Sequence, residues 1–201
     1  MIATLIRDVA SAIKRIDARA PTARNARTGE AYEAGFGPFP ETQAVALIAE
    51  ELRAMESGTY GGLVVGVPYP GGGRQACDLC VRENDAVTLA VEVKLLRMMG
   101  DNGKPNANML MHILSPYPRD RSAYTDCMKL SRSEFSGMKV VLIYGFEFED
   151  YPLGLAIESF ELLARSKVAL GEKHVADFSQ LIHPVHRSGR VYGWEVGRRS
   201  E

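Results

Sequence analysis

The sequence of 201 residues predicts an α/β fold, on three observations. Apolar residues recur at helical spacing through residues 2–16 and 45–55, then switch to strand-like runs and alternation through residues 63–95. The run KVVLIYGF, residues 139–146, is apolar at nearly every position, as expected of a strand covered on both faces. Helical periods resume on either side of that run, with no linker, repeat or low-complexity segment dividing two cores, so one domain spanning 1–201 is expected.

In residues 1–19, Ile2, Leu5, Ile6, Val9, Ile13 and Ile16 form one stripe with arginines and lysines between them, which predicts an amphipathic packing helix. Residues 20–40 lack a sustained period and close on Gly35, Gly37, Pro38 and Pro40, so they form an arm or loop. A second helix starts near Glu41, with Val45, Ile48, Leu52 and Met55 on one face, and stops at Ser57-Gly58. Leu63–Val67 makes a short strand closed by the loop PYPGGG, and two more strands follow over 75–83 and 87–95. The Gly- and Pro-rich segment 100–118 is a working loop with one helical turn near 107–114. A helix over 119–134, the buried strand 139–146 and a helix over 153–167 complete the middle. The tail, 176–196, reads as a hairpin turning at Ser188-Gly189. The chain thus divides into an N-terminal helix and arm (1–40), a core (41–146) and a C-terminal helix and hairpin (147–201).

Lys and Arg total 24 against 25 Asp and Glu, a net charge of −1, which excludes a polybasic coat; nucleic-acid binding would be local or helped by cations. No run of 18 apolar residues occurs, and Arg7, Asp8, Lys14, Arg15 and Arg19 interrupt the first twenty residues, so the expectation is a soluble cytoplasmic protein without membrane contact. Cys77, Cys80 and Cys127 are too few for a disulfide scaffold. The Cys77/Cys80 and His183/His186 pairs have zinc-like spacing, but both fall in segments read as strands, where positions three apart face opposite sides. No GxSxG elbow, GxGxxG or GxxxxGK[ST] is present, which disfavours a serine hydrolase and a nucleotide cofactor.

The stretch CDLCVRENDAVTLAVEVK, residues 77–94, carries the chemistry. Val87, Leu89, Val91, Val93 and Leu95 alternate with Thr88, Ala90, Glu92 and Lys94, so Glu92 and Lys94 share the polar face. Cys77, Leu79 and Val81 alternate with Asp78, Cys80 and Arg82 in the same way. With Asn84-Asp85-Ala86 as a three-residue hairpin loop, Asp78 lies opposite Glu92; a two-residue loop would set apolar against polar faces. Facing carboxylates have Cβ atoms about 5 Å apart and repel unless a cation lies between them. Mg²⁺ suits that position, since it takes one or two carboxylates together with substrate phosphate oxygens. Lys94 is placed to stabilise developing charge or to act on the attacking water. These groups describe a metal-assisted phosphodiesterase centre.

Asp78, thirteen residues, then Glu92-Val93-Lys94, preceded by a helix bearing Glu41 and followed by a helix and a buried strand, resembles the PD-(D/E)xK nuclease superfamily, with Cys77 where the motif has Pro. The resemblance implies a restriction-endonuclease-like three-layer core with a mixed β-sheet flanked by helices. It implies that Asp78 and Glu92 bind Mg²⁺, with Mn²⁺ as a substitute, that Lys94 is the catalytic lysine, and that an acid of the first core helix completes the site. Glu41 is the candidate, because it extends the Val45, Ile48, Leu52 stripe, whereas Glu50 and Glu51 lie off it and face solvent.

The function expected is a Mg²⁺-dependent DNA endonuclease of restriction or host-defence type; the alternative is a non-catalytic nuclease-fold module that binds DNA or protein. Arg74, Arg121 and Lys129 are the candidate DNA contacts. Tyr192 and Trp194 belong to packing ahead of base stacking. Cutting both strands of a duplex calls for two centres, so a homodimer is expected, using the stripe of the first helix and the tail around Trp194.

Overall fold

The computed structural model describes residues 1–55, 58–71, 73 and 75–199. The elements in order are α1 (Ile2–Ala18), α2 (Glu41–Arg53), β1 (Leu63–Pro68), β2 (Ala76–Glu83), β3 (Ala86–Leu96), α3 (Met111–Leu114), α4 (Ala123–Arg132), β4 (Met138–Phe146), α5 (Gly154–Arg165), β5 (Ala169–Leu170), β6 (His174–Ser179) and β7 (Ser188–Gly197). The seven strands form a mixed sheet in the order β1-β2-β3-β4-β7, with β5 and β6 sharing the outer edge of β7. Only β3 and β4 pair in parallel. The fold is therefore α/β, with helices on both sheet faces.

The parity of β3 divides the two cores. Val91, Val93 and Leu95 point with Val140, Leu142 and Tyr144 toward α1 and α2. Ala90 and Leu96 point with Val141, Ile143, Tyr192 and Trp194 toward α4 and α5. Each Ile, Leu or Val side chain buried this way stabilises the fold by about 1.5–3 kcal/mol. The whole stripe of α1 is spent on this core: Ile2, Leu5, Ile6, Val9, Ile13 and Ile16 are all buried, as is Trp194. The dimer surface expected on these residues is therefore corrected. The α1 stripe packs against β6, β7 and α2, and Trp194 packs against Phe160 of α5, all within one chain.

Four further expectations change. Glu51 is buried and ion-paired to Arg19, because that side of α2 meets α1; Glu50 is exposed as expected. α2 ends at Arg53, and Ser57 lies outside the described residues. The tail does form a hairpin, but Ser188-Gly189 begins β7, and the turn is the longer connection between β6 and β7 that carries both histidines. His183 and His186 are thus on a loop, where their rings stack at 4.8 Å and that of His186 meets Phe146 on the α1/α2 side. Cys77 and Cys80 lie in the core on the other sheet face, so the two pairs do not converge on one metal.

The strand pair that carries the motif needs one more feature than the sequence reading supplied. Asn84 and Asp85 alone make the turn, with φ +48° and +66°, the left-handed pair typical of a two-residue hairpin. A bulge beside Val81/Arg82 then shifts the pairing by one, leaving Thr88 as the extra residue, so Val81 faces Leu89 and Leu79 faces Val91. The expected register is kept as far as Leu79 and Val91, produced by a shorter loop plus a bulge, but pairing ends there, so Asp78 is not paired across to Glu92 and its carboxylate accepts from the Val93 amide instead. The expected face-sharing of Cys77 with Leu79 and Val81 fails at Asp78, opposite Gly66 of β1, whose φ of +69° bends the pair.

Candidate active site

Backbone pairing between β2 and β3 stops at Leu79 and Val91, and beyond that point two carboxylates take over the free edge of β3. Asp78 Oδ2 accepts from the Val93 amide at 2.8 Å, and Glu41 Oε2 accepts from the Leu95 amide at 2.7 Å. Amides two residues apart on a strand point the same way, so both acids are set along one edge. Glu41 reaches it because α2 begins there, just after Pro40. The splayed strands open a cleft of about 860 Å³, lined by Glu41, Asp78, Glu92, Lys94, Asp126 and Lys129.

Inside the cleft the side chains alternate in sign. Lys94 Nζ lies 3.1 Å from Glu41 Oε1 and 3.1 Å from Asp126 Oδ2, and Lys129 Nζ lies 2.7 Å from Glu92 Oε1 and 2.9 Å from Asp126 Oδ1. Tyr69 donates its hydroxyl to Glu92 Oε1 at 2.5 Å, and Lys129 stands 5.0 Å from the centre of the Tyr69 ring. Glu92 is only 2% exposed. Burial, then the charges of Asp126 and Asp78, push its pKa up to about 8, with Lys129 opposing them. Burial works against the charge of Lys94, but Asp126, Glu41 and Asp78 outweigh it and hold the ammonium well above the ordinary lysine range. Lys129 is held up in the same way by Glu92 and Asp126 against its burial. Both lysines are thus held in the cationic form, so Lys94 could stabilise charge or donate a proton but offers no free lone pair to act as a base.

The cleft brings together Asp78, Glu92, Lys94 and Glu41, as the sequence predicts, and also Arg121 and Lys129. Arg121 sits at the rim with φ +48°. Lys129 is drawn into the acid cluster, a more internal position than the phosphate contact expected of it. Arg74 lies outside the described residues. Asp126 and Tyr69 were missed. Asp126 had a readable signal: it interrupts the apolar stripe Ala123, Cys127, Leu130 of α4, and a carboxylate on a core-facing stripe needs a partner. Tyr69 sits in the PYPGGG loop, where no periodicity assigns a direction.

Asp78 and Glu92 offer hard oxygen donors from buried or half-buried carboxylates, two being the number Mg²⁺ commonly takes when water and phosphate oxygens complete its shell. Among the described residues, no three His, Cys, Asp or Glu side chains form a metal cage. Glu41, expected as the third ligand, has both oxygens engaged, by Lys94 and by the Leu95 amide. The four carboxylates still exceed the two ammonium groups, and burial together with the charges of Asp126 and Asp78 raises the pKa of Glu92. A divalent cation at Asp78 and Glu92 fits that surplus of negative charge. No protein-family model, curated protein or solved structure matches this chain.

Proposed function

We propose that this protein is a divalent-metal-dependent nuclease that hydrolyses phosphodiester bonds of DNA, on a restriction-endonuclease-like core. The observation that carries the reading is the convergence of Glu41, Asp78, Glu92 and Lys94, from α2, β2 and β3, in one cleft. The element order of residues 41–146, with three antiparallel strands followed by a helix and a parallel strand, supports the same reading.

Asp78 and Glu92 would hold Mg²⁺, with Mn²⁺ as a substitute. When bound, the cation supplies charge neutralisation at the scissile phosphate and lowers the pKa of an attacking water. The chain's own groups do the rest. Glu41 and Asp126 hold the Lys94 ammonium from two sides, so it is oriented before substrate arrives and offers positive charge to the phosphorane-like transition state. Asp126 also orients Lys129, whose ammonium holds Glu92. Arg121 and Arg132, at the rim on the α4 side, offer charge to flanking phosphates.

The test is cleavage of supercoiled plasmid with Mg²⁺ or Mn²⁺, compared with chelator, by the native chain, Asp78→Asn and Lys94→Ala. Metal-dependent cleavage lost in both variants is expected; cleavage that survives both overturns the assignment. One observation favours a second reading, a non-catalytic module on the same fold: Lys94 and Lys129 already balance much of the acid cluster without any metal. Titration calorimetry separates the two. No heat from millimolar Mg²⁺ or Mn²⁺, with DNA present, favours the module.

A further inference from the structure

A chain with a net charge of −1 still concentrates positive charge in one place. The C-terminal end of α4 meets the cleft, where Arg132 and Ser133 line the rim. Successive carbonyls of that end are held by cations from other elements. Arg198, just beyond β7, donates from Nε to the Ser131 carbonyl at 3.3 Å and from Nη2 to the Arg132 carbonyl at 3.4 Å. Lys139 of β4 donates from Nζ to the Ser133 carbonyl at 2.7 Å. The next residue along, Arg199, reaches the end of α5 and donates from Nη1 to the Arg165 carbonyl at 3.4 Å and the Ser166 carbonyl at 2.8 Å. Arg132, Lys139, Arg198 and Arg199 thus form a basic ridge that begins at the cleft and runs over the C-terminal ends of α4 and α5.

None of these cations has a carboxylate partner among the described residues, and Glu134 and Glu195, close to them along the chain, pair with none of them. Burial, then the charge of Arg198, lowers the pKa of Lys139 below the ordinary lysine value, as expected where like charges meet without a counter-ion. Helix capping accounts for part of the arrangement, since the dipole favours cations at a C-terminus. It does not account for exposed Arg132, nor for the further N–H donors that Arg198 and Arg199 keep on solvent-exposed side chains. The carbonyl bonds also fix the charged heads before any ligand arrives, which lowers the ordering cost of binding.

We propose that this ridge binds the phosphate backbone of duplex DNA, so that a duplex entering the cleft is held on its α4 and α5 flank. Guanidinium groups match phosphate oxygens in pairs, and an anchored row of them suits a partner whose anions repeat along a line. Such contacts position the duplex and read no base. The choice of DNA as the polyanion rests on the nuclease reading.

Fluorescence anisotropy of a labelled duplex, in chelator and over a series of salt concentrations, tests the ridge without turnover. Arg198→Gln combined with Arg199→Gln is expected to weaken binding about tenfold to a hundredfold at about 0.1 M salt, and to lower the slope of log affinity against log salt by about two. Arg198→Lys with Arg199→Lys is expected to keep the slope. Lys139→Gln breaks no ion pair and is expected to lower the slope by about one, which keeps the ridge testable should the arginine pair be needed for folding. Arg7→Gln with Arg15→Gln, exposed on α1 across the sheet, is expected to leave the slope unchanged. A native chain that does not bind duplex, a slope unmoved by the ridge variants, or an equal loss from the α1 pair overturns the inference. Plasmid cleavage with Mg²⁺ reports separately. Cleavage with an unmoved slope removes the ridge and keeps the nuclease; ridge-dependent binding by a native chain that never cleaves removes the nuclease and keeps the ridge.

Discussion

Lys129 Nζ stands 2.7 Å from Glu92 Oε1, so the lysine one turn down α4 from Thr125 holds the acid at the centre of β3. Removing the ammonium leaves Glu92 buried between Asp126 and Asp78 without its counter-ion. Lys129→Met is expected to cost about 1–3 kcal/mol in urea unfolding. Adding Glu92→Gln is expected to recover part of that loss, so the double-mutant cycle gives a coupling well away from zero. Additive losses would mean that the two groups do not interact energetically.

Asp126 bridges both lysines, from Oδ2 to Lys94 and from Oδ1 to Lys129. Asp126→Asn keeps the shape and removes the charge. On the nuclease reading, cleavage is expected to fall about 10–100-fold, the range seen when a group orienting the reactive residues is lost. Unchanged plasmid cleavage would remove Asp126 from the machinery.

His183 is buried, and its Nδ1 accepts from the amides of Val185 at 3.2 Å and His186 at 3.1 Å, which assigns the proton to Nε2. Protonating Nδ1 would break both bonds. Burial, then His186, lower its pKa below the ordinary 6.5. A base with a lowered folded pKa favours the unfolded state on acidification, so stability is expected to fall as pH drops below about 6.5. Asp101, held below 3.8 by its hydrogen bond from His186 and by Arg97 despite its burial, adds a second loss at more acid pH. Unfolding free energies measured between pH 8 and pH 4 should show the first decline, and His183→Gln should flatten it; an unchanged slope in that variant would acquit the histidine.

Asp85 occupies the second position of the β2–β3 turn at φ +66°. Glycine adopts that conformation without the steric cost, so Asp85→Gly is expected to stabilise the hairpin, read as a rise in the thermal midpoint. Gly37→Ala is expected to act oppositely, by about 1–3 kcal/mol, because its Cβ would lie 2.5 Å from the His186 ring.

Most elements were legible because periodicity reports burial directly: the α1 stripe, the alternation along β3 and the continuous apolar run of β4 each describe a surface the residue sees. Asp78, Glu92 and Lys94 were legible for the same reason, as polar side chains at fixed parity on a strand. Their partners on α4 were not, since a helix period says which face is inward but not which strand residue it meets. The Asn84-Asp85 turn and the bulge at Thr88 compensate for each other, so register was readable while the loop length was not. Glu51 shows the same limit: a charge off the apolar stripe faces solvent only if no other helix packs there.

The two carboxylates that cap the open edge of β3 make the backbone itself a gauge of what enters the cleft. Asp78 Oδ2 accepts from the Val93 amide and, on the nuclease reading, would also ligate the cation, while Glu41 Oε2 secures Leu95 independently of Asp78. An occupant that draws Asp78 away uncovers one amide and spares the other. Hydrogen exchange at Val93, measured against Leu95 in the same molecule, therefore carries its own internal reference, and a selective rise at Val93 on adding Mg²⁺ would show occupancy in a sample with no substrate, no turnover and no label.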